Sequence, residues 1–113
     1  MKIGATKQLL ITFNTAVLSD LDEPSVESIE AYLFVGQRVL LRFKRPAAGG
    51  FDGVIEKHAS QPNCGIIRLT PTLSHRLIPG KLRMELWLAK LSEGISRHYD
   101  LTVDITHIEP ALR

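Results

Sequence analysis

The sequence predicts an all-β fold in which two antiparallel sheets pack as a sandwich. Apolar residues recur at every second position in several runs, which is typical of strands that bury one face. Segments rich in Gly, Pro, Asn and Ser separate these runs, and no run has the period of a long helix. About seven short strands with such turns between them are typical of a β-sandwich. The chain has 113 residues, enough for one core, so we expect a single domain over residues 1–113.

Composition and charge are those of an ordinary globular protein. Apolar residues make up 44% of the chain and charged residues 23%, and the net charge of +2 favours no class of charged partner. The one cysteine, Cys64, excludes an internal disulfide framework, as expected of a protein that folds in the cytoplasm. The apolar run at 9–11 is too short for a signal peptide, and no run approaches the roughly 20 residues of a membrane helix. We therefore expect a soluble protein that is made in the cytoplasm and has no membrane partner.

The first half of the chain predicts an edge strand and a hairpin. Weak alternation over 7–14 favours a strand at a sheet edge, and the polar segment 19–25 (SDLDEPS) is a loop. Strands at 27–35 and 38–44 form a hairpin if residues 36–38 are a three-residue loop, because this register pairs apolar residues on one face. The inner pairs would be Val35–Val39, Leu33–Leu41 and Ala31–Phe43, and the outer pairs Phe34–Leu40, Tyr32–Arg42 and Glu30–Lys44.

The outer face of this hairpin is the predicted partner-binding site. In the register above, Tyr32, Phe34 and Leu40 form one contiguous apolar patch beside Arg42. A contiguous exposed patch marks an interaction surface, and aromatic residues and arginine are enriched at the cores of protein interfaces. The alternative is that the loop at 19–25 or the loop at 45–50 (RPAAGG) covers this face and makes the patch internal.

The middle of the chain is predicted to contain only short elements. They are a strand at 51–58, a turn at 61–65 (QPNCG), a strand at 66–70 and one helical turn at 71–77. The first of these strands is centred on Val54 and Ile55, and Thr72 is the predicted N-cap of the helical turn. Pro79-Gly80 then leads into the longest alternating stretch of the chain.

Residues 81–108 are predicted to form a long hairpin with a two-residue turn at Glu93-Gly94. Glycine at the second loop position suits a type I′ turn, and this register sets one apolar row against the other. The inner pairs would be Leu88–Tyr99, Leu86–Leu101, Met84–Val103 and Leu82–Ile105, and the opposite face would pair Arg83–Asp104, Glu85–Thr102 and Trp87–Asp100. Trp87 then lies on the polar face, where it is either covered by a loop or exposed as an anchor for a partner.

Two groups of residues invite a catalytic or metal-binding role. The last predicted strand has metal-ligating residue types at alternate positions, which are His98, Asp100, Thr102 and Asp104, with His107 beyond. The competing interpretation is the solvated face of a half-buried strand, and we favour it. Cys64 and Ser74-His75 lack the base and orienting group that a nucleophile needs. The sequence therefore predicts no catalytic residue, no metal site and no cofactor.

A third group is basic. Arg38, Arg42, Lys44 and Arg45 belong to one hairpin that also carries aromatic side chains, and such a combination binds single-stranded nucleic acid in other proteins. The low net charge of the chain and the neighbouring Glu30 favour a solvated strand face instead. Nucleic acid is therefore not the expected partner.

The stretch 65–86, GIIRLTPTLSHRLIPGKLRMEL, carries a resemblance to a known family. A strand ends in Leu-Thr-Pro, a short turn contains Ser and Leu, and Pro-Gly leads into a long strand. This pattern resembles the immunoglobulin-like N-terminal domain of phage baseplate upper proteins, and RVLLRFKRP at 38–46 is similar to that family's strand before its variable loop. The matching positions are Gly65, Ile67, Leu69, Thr70, Ser74, Leu77, Pro79, Gly80, Leu82 and Leu86. The resemblance implies an immunoglobulin-like fold, a non-catalytic role in a phage tail or baseplate, and a place in the virion.

The expected function is therefore structural. We expect a non-catalytic assembly module that binds other protein subunits in a homo- or hetero-oligomer. The predicted partner-binding residues are Tyr32, Phe34, Leu40, Arg42 and Trp87. The alternative is a small carbohydrate- or ligand-binding β-sandwich in which Trp87, Tyr32 or Tyr99 stacks on the ligand.

Overall fold

The structure is a computed structural model, and it describes residues 3–4, 6–91, 94–98, 102–103 and 107–108. For residues 94 and beyond, it describes the backbone alone. This part of the chain consists of two β-sheets and one short helix, and buried residues of both sheets form a shared core. The predicted mostly-β, sandwich-like architecture is confirmed.

The described elements follow one another along the chain as ten strands and one helical turn. They are β1 (Lys7–Thr12), β2 (Val26–Val35), β3 (Arg38–Arg45), β4 (Gly53–Val54), β5 (Glu56–Lys57), β6 (Cys64–Leu69), α1 (Pro71–Ser74), β7 (Gly80–Lys90), β8 (Gly94–His98), β9 (Thr102–Val103) and β10 (His107–Ile108). Within the described ranges, no helix has the length and apolar character needed to cross a bilayer.

The first sheet has the strand order β5-β6-β1-β9. β1 pairs antiparallel with β6 along its whole length, from Lys7–Leu69 to Thr12–Cys64. On its other side it pairs with β9 at Ile11–Val103. The prediction that the first strand lies at an edge is therefore wrong, because β1 has a neighbour on both sides. Leu9 and Ile11 are fully buried accordingly.

The second sheet is built around β2, which lies between β3 and β7 in the order β7-β2-β3-β4. β7 pairs on its other side with β8 along residues 86–90 and with β10 at residues 80–81. Most pairs in both sheets are antiparallel, but β3 and β4 run parallel. The pairing of β2 with β7 is antiparallel and extends from Val26–Lys90 to Val35–Leu82.

The core lies between the two sheets. Each sheet contributes the alternate residues of its strands, namely Leu9, Ile11, Ile67 and Leu69 from the first and Ile29, Ala31, Leu33, Leu41, Phe43, Leu82, Met84, Leu86 and Leu88 from the second. Burying one Leu, Ile, Phe or Met side chain is worth about 1.5–3 kcal/mol. Because these rows point inward, the intervening residues of β2, β3 and β7 point away from the core.

The β2–β3 hairpin has the predicted register along most of its length and departs from it at the tip. The pairs Glu30–Lys44, Ala31–Phe43, Tyr32–Arg42 and Leu33–Leu41 are confirmed. Beyond Leu33 the register shifts by one residue, so that Phe34 pairs with Val39 and not with Leu40. The predicted pairs Phe34–Leu40 and Val35–Val39 are therefore wrong.

A β-bulge at Leu40 causes this shift, because the extra residue in β3 moves its neighbours to the opposite face of the strand. Leu40 is 9% exposed and belongs to the core, whereas Val39 is 53% exposed. The loop correspondingly shortens to Gly36-Gln37. Gly36 has a φ of +63°, as the first position of a type II′ turn requires.

The predicted register of the last hairpin is wrong. β7 pairs with β8 at Leu86–His98, Trp87–Arg97 and Lys90–Gly94, which leaves three residues and not two between the paired strands. Val103 pairs with Ile11 of the first sheet, so it does not pair with Met84. The chain changes sheets between His98 and Thr102, and the alternation beyond that point therefore says nothing about the register on β7.

Among the other predicted pairs of that hairpin, only Glu85–Thr102 involves two residues that the structure describes, and it is wrong. Thr102 pairs with Thr12 and not with Glu85. The predicted pairs that involve Tyr99, Asp100, Leu101, Asp104 and Ile105 lie outside the described residues. The position of Trp87 on the outward side of β7 does not depend on them.

The elements between the hairpins have other bounds than predicted: β6 begins at Cys64, two residues earlier than expected, and α1 ends at Ser74. The single strand expected at 51–58 is divided between the two sheets, because β4 pairs with β3 and β5 pairs with β6. Ile55 lies between the two strands and is 1% exposed. The N-cap of α1 is Thr70, whose side chain accepts a hydrogen bond from the Leu73 backbone at 3.3 Å, and the predicted cap Thr72 lies inside the helix.

Candidate functional site

The outward side of β3, β2 and β7 carries the candidate site, which we name the aromatic face. Cross-strand pairing places Glu30 opposite Trp87, Tyr32 opposite Glu85, and Phe34 opposite Arg83. Val39 pairs with Phe34 from β3. The face therefore consists of Glu30, Tyr32, Phe34, Val39, Arg83, Glu85 and Trp87.

The aromatic face forms an open groove of about 540 Å³, lined by these seven side chains and Gln37. Tyr32, Phe34 and Trp87 are each half-buried, so their rings are partly accessible from the groove. Aromatic rings and a few polar groups around one depression are the usual composition of a recognition site. The groove can therefore bind an extended chain or ring, and polar groups at its wall can orient that ligand.

One end of the groove is organised by Arg83. Its guanidinium lies 4.5 Å from the centre of the Phe34 ring, a cation–π contact. The same side chain donates a hydrogen bond to the Gly36 carbonyl at the hairpin tip. Arg83 thus holds the tip of the β2–β3 hairpin against β7.

The other end is organised by Glu30. The Tyr32 hydroxyl donates to Glu30 Oε2 at 3.1 Å, and Lys44 Nζ lies 3.7 Å from Glu30 Oε1. Burial raises the pKa of Tyr32 above its usual 10.0, and the hydrogen bond to Glu30 raises it further. The phenol therefore stays protonated and remains a donor at neutral pH.

The loop after β3 covers only the margin of this surface. Phe51 lies 5.9 Å from the Arg42 guanidinium and 5.5 Å from the Lys44 ammonium, measured to the ring centre. Asp52 accepts a hydrogen bond from the Arg42 backbone at 2.8 Å and pairs with Arg76. Partial burial would raise the pKa of Asp52, but the Arg42 amide and the Arg76 guanidinium together lower it.

The other loop considered as a cover lies elsewhere. Asp22 of the segment 19–25 pairs with Arg45, at the end of β3, and with Lys57 of β5. The groove between Phe34 and Trp87 has neither loop in its lining. The lining of the groove therefore agrees with an exposed outer face of the hairpin and not with a face covered by the loop at 19–25 or the loop at 45–50.

The structure brings together three of the five predicted site residues. Tyr32, Phe34 and Trp87 line one groove, and exposed Arg42 lies at its margin in a neighbouring depression with Tyr32. Leu40 does not line the groove, because the bulge turns it into the core, where it is 9% exposed; it lines only the neighbouring depression beside Arg42.

Four residues of the aromatic face were not among the predicted site residues. Glu30 was placed on the outer face of the hairpin, but only as the partner of Lys44. Val39 takes the place expected for Leu40, and two adjacent aliphatic residues gave no signal for which of them faces outward. Arg83 and Glu85 were missed because the pairing of β7 with β2 was not predicted. Comparing the alternating residues of β2 with those of β7 could have found this pairing. In the observed register the apolar residues of one strand lie opposite the apolar residues of the other, and the outward residues lie opposite outward residues.

The remaining chemically interesting residues have structural partners. Cys64 is 1% exposed, and its Sγ donates to Gln61 Oε1 at 3.0 Å. Ser74 is fully buried and accepts a hydrogen bond from the Gly4 backbone at 2.8 Å. In the described part of the chain, no three metal-ligating side chains cluster. The side chains of His98, Thr102 and His107, and the residues Asp100 and Asp104, lie outside the described residues.

Comparison with known proteins returned no match: no protein-family model, no curated protein and no solved structure matches this chain.

Proposed function

We propose that the protein is a non-catalytic assembly module that docks other protein subunits through the aromatic face. The observation that carries the proposal is the open groove in which Tyr32, Phe34 and Trp87 lie side by side. Half-buried aromatic side chains that surround a depression are typical anchors of protein interfaces. Arg83, stacked on Phe34, adds the side-chain type that most often accompanies them.

The fold that best suits this role is an immunoglobulin-like sandwich. In that fold one sheet has the strand order A-B-E-D and the other contains G-F-C, to which variable-type domains add C′. The orders β9-β1-β6-β5 and β8-β7-β2-β3 correspond to A-B-E-D and G-F-C-C′. The departures are that β9, from later in the chain, occupies the A position, that β10 also pairs with β7, and that β4 lies beside β3 in parallel. In this scheme the aromatic face is the outward side of the C′-C-F strands.

The proposed setting is a phage tail or baseplate, where such a domain connects subunits. Its support is the resemblance of the stretch 65–86 to the immunoglobulin-like domain of baseplate upper proteins. That stretch covers β6, α1 and the first half of β7, so it spans the crossing from the first sheet to the second. The strand order described above is compatible with that family's fold.

The test is assembly with the products of neighbouring genes. The protein is co-expressed with each of them, and complexes are measured by size-exclusion chromatography with light scattering. We expect a complex with the wild type and none with the double variant Phe34→Ser, Val39→Ser. The melting temperature of that variant should stay within a few degrees of wild type, because both side chains are outside the core.

The matched control is Leu10→Ser. Leu10 is an exposed aliphatic residue of β1, on the outward side of the other sheet. It should leave assembly unchanged. A complex that survives the double variant, or one that Leu10→Ser disrupts equally, would contradict docking through the aromatic face.

A carbohydrate-binding module is the second candidate, and a specific observation favours it. Trp87 and Tyr32 share one groove with the carboxylates Glu30 and Glu85, and aromatic stacking with nearby hydrogen-bonding groups suits a sugar ring. A glycan array probed with wild type and Trp87→Ala separates the two candidates. Glycan binding that Trp87→Ala abolishes while the fold is retained would favour this second function, and a silent array would count against it.

A further inference from the structure

We propose that the depression beside the aromatic face receives one carboxylate side chain, aspartate or glutamate, from the protein partner. The inference rests on the proposed docking function and names the chemistry of a residue that the partner inserts. We name this depression, which has a volume of about 390 Å³, the arginine depression. The residues that line it are Tyr32, Val39, Leu40, Arg42, Asp52 and Arg76.

The arginine depression adjoins the groove of the aromatic face. Tyr32 and Val39 line both of them. Arg42 pairs with Tyr32 across the β2–β3 hairpin, so it lies on the same outward side of the sheet. Arg76, from the turn after α1, meets this side through its ion pair with Asp52. A partner that docks on the aromatic face therefore also covers the arginine depression.

Asp52 holds the two sides of the depression together. Its Oδ2 accepts a hydrogen bond from the Arg42 backbone at 2.8 Å, and its Oδ1 pairs with the Arg76 guanidinium. The Asp52 backbone also donates to the Arg42 carbonyl at 2.8 Å. Asp52 is thus anchored to β3 and positions Arg76. A guanidinium has five N–H donors in a planar fork, so Arg76 retains donors for a second carboxylate.

The Arg42 guanidinium forms no ion pair with any carboxylate that the structure describes. It lies 5.9 Å from the centre of the Phe51 ring, a cation–π contact. A guanidinium that rests on an aromatic face keeps the N–H donors of its edge available for hydrogen bonds. Arg42 is also exposed, so these donors are accessible from the depression.

The charge of the arginine depression favours an anion with a single charge. Its lining has two guanidiniums, +2, and the one carboxylate of Asp52, −1, which leaves a net charge of +1. The nearby carboxylate of Glu30 lies outside this lining and has Lys44 as its partner at 3.7 Å. A carboxylate side chain has one negative charge and two oxygens that match a guanidinium fork. It therefore neutralises the depression, whereas a phosphate dianion would leave a negative excess.

The test is a titration of the isotope-labelled 113-residue chain, followed through the arginine Nε–Hε signals in NMR spectra. The probe is the peptide acetyl-Gly-Asp-Gly-amide, and the matched neutral probe has asparagine in place of aspartate. We expect the aspartate peptide to shift the Arg42 and Arg76 signals to saturation, with a dissociation constant on the order of 1–10 mM for so small a ligand. The asparagine peptide should bind at least about tenfold more weakly, and added salt should weaken the aspartate peptide.

The matched variants are Arg42→Gln and Arg38→Gln, which make the same change in two exposed residues of β3, inside and outside the depression. Arg42→Gln removes the net charge of the lining and should weaken aspartate-peptide binding at least about tenfold, the factor that loss of a charge-assisted contact implies. Its binding is read from the Arg76 signal. Arg76→Gln, read from the Arg42 signal, should have the same effect.

Arg38→Gln should bind the aspartate peptide as wild type does, and both β3 variants should melt close to wild type because the two side chains are exposed. Equal binding of the two peptides would overturn the carboxylate receptor. So would undiminished binding by Arg42→Gln, or an equal loss in Arg38→Gln.

The outcome is distinguishable from that of the docking proposal. If the aspartate peptide does not bind but Phe34→Ser, Val39→Ser still abolishes the complex, docking stands and the carboxylate receptor is wrong. If inorganic phosphate binds at the two arginines more tightly than the aspartate peptide, the carboxylate receptor is overturned in favour of a phosphate-bearing ligand. If the peptide binds as expected but no complex depends on the aromatic face, the receptor stands and its assignment to a protein partner is wrong.

Discussion

Val39 and Leu40 are adjacent aliphatic residues with opposite roles. The bulge exposes 53% of Val39 and leaves Leu40 9% exposed within the core. We expect Leu40→Ala to lower the free energy of unfolding by about 2 kcal/mol or more, as large-to-small core substitutions do. Val39→Ala should change it by no more than about 0.5 kcal/mol. Urea unfolding of the two variants measures both values, and similar costs at the two positions would contradict the bulge.

Tyr32 should titrate above the usual tyrosine range. Burial and the hydrogen bond to Glu30 raise its pKa, so the folded state holds a proton that the unfolded state loses near pH 10.0. This contribution to stability is present below that pH and is lost as the pH rises through the raised pKa. The difference between the tyrosinate absorbance curves of wild type and Tyr32→Phe gives the midpoint of Tyr32. A midpoint at or below 10.0 would disagree with the described contacts.

At the scale of single elements, the β2–β3 turn depends on one glycine. Gly36 has a φ of +63°, and no atom lies within 4 Å of the position a Cβ would take. The cost of Gly36→Ala is therefore a backbone cost, which we expect to be about 1–2 kcal/mol. Gly49→Ala is the matched control, because its site is equally open and its φ is not in the positive range. Chemical denaturation should find the control neutral or slightly stabilised, and equal losses would rule out the turn as the cause.

The same hairpin indicates how far sequence reasoning reaches. Alternation in 27–35 and 38–44 was sufficient to predict the pairs from Glu30–Lys44 to Leu33–Leu41, because one-face burial allows only one parity. The bulge was not predictable in this way. It interrupts the alternation between Val39 and Leu40, and both residues are aliphatic, so either could have faced the core.

The strand β7 indicates where such reasoning stops. Its inward and outward rows were predicted correctly, and so was the outward position of Trp87. Its partners were not, because hairpin logic considers only the next strand in sequence, whereas the longest pairing of β7 is with β2, about fifty residues earlier. The predicted patch therefore contained Tyr32 and Phe34 without Arg83 and Glu85, and the groove itself was not predicted.

At the scale of the whole molecule, Asp22 ties the two sheets together. It pairs with Arg45 at the end of β3 in the second sheet and with Lys57 of β5 in the first. The hydrogen bond from Arg45, followed by that from Lys57, lowers the pKa of Asp22 below its usual 3.8. A lowered pKa gives stability that is present above pH 3.8 and lost as the pH falls through the folded-state value.

We therefore expect Asp22→Asn to melt below wild type at neutral pH, by a small amount because these groups are exposed. The difference should shrink toward zero as the pH falls from about 4 to about 2, and also as salt is added at neutral pH. Glu27→Gln is the control, since Glu27 forms no ion pair with the described side chains. Melting curves over this pH range measure the effect, and a difference that persists at low pH would exclude the ion pairs as its cause.

The position of β1 has a consequence for how the chain reaches its folded state. β1 is made before both of its neighbours, because β6 and β9 lie more than fifty and about ninety residues later in the chain. Its backbone donors and acceptors stay unpaired until β6 and β9 have been made, and an unpaired edge is a template for association with other chains. Such distant pairings also slow folding, because long loops must close before these contacts form. The newly made chain should therefore be most prone to aggregation before β6 and β9 emerge, and a holding chaperone would protect it most at that stage.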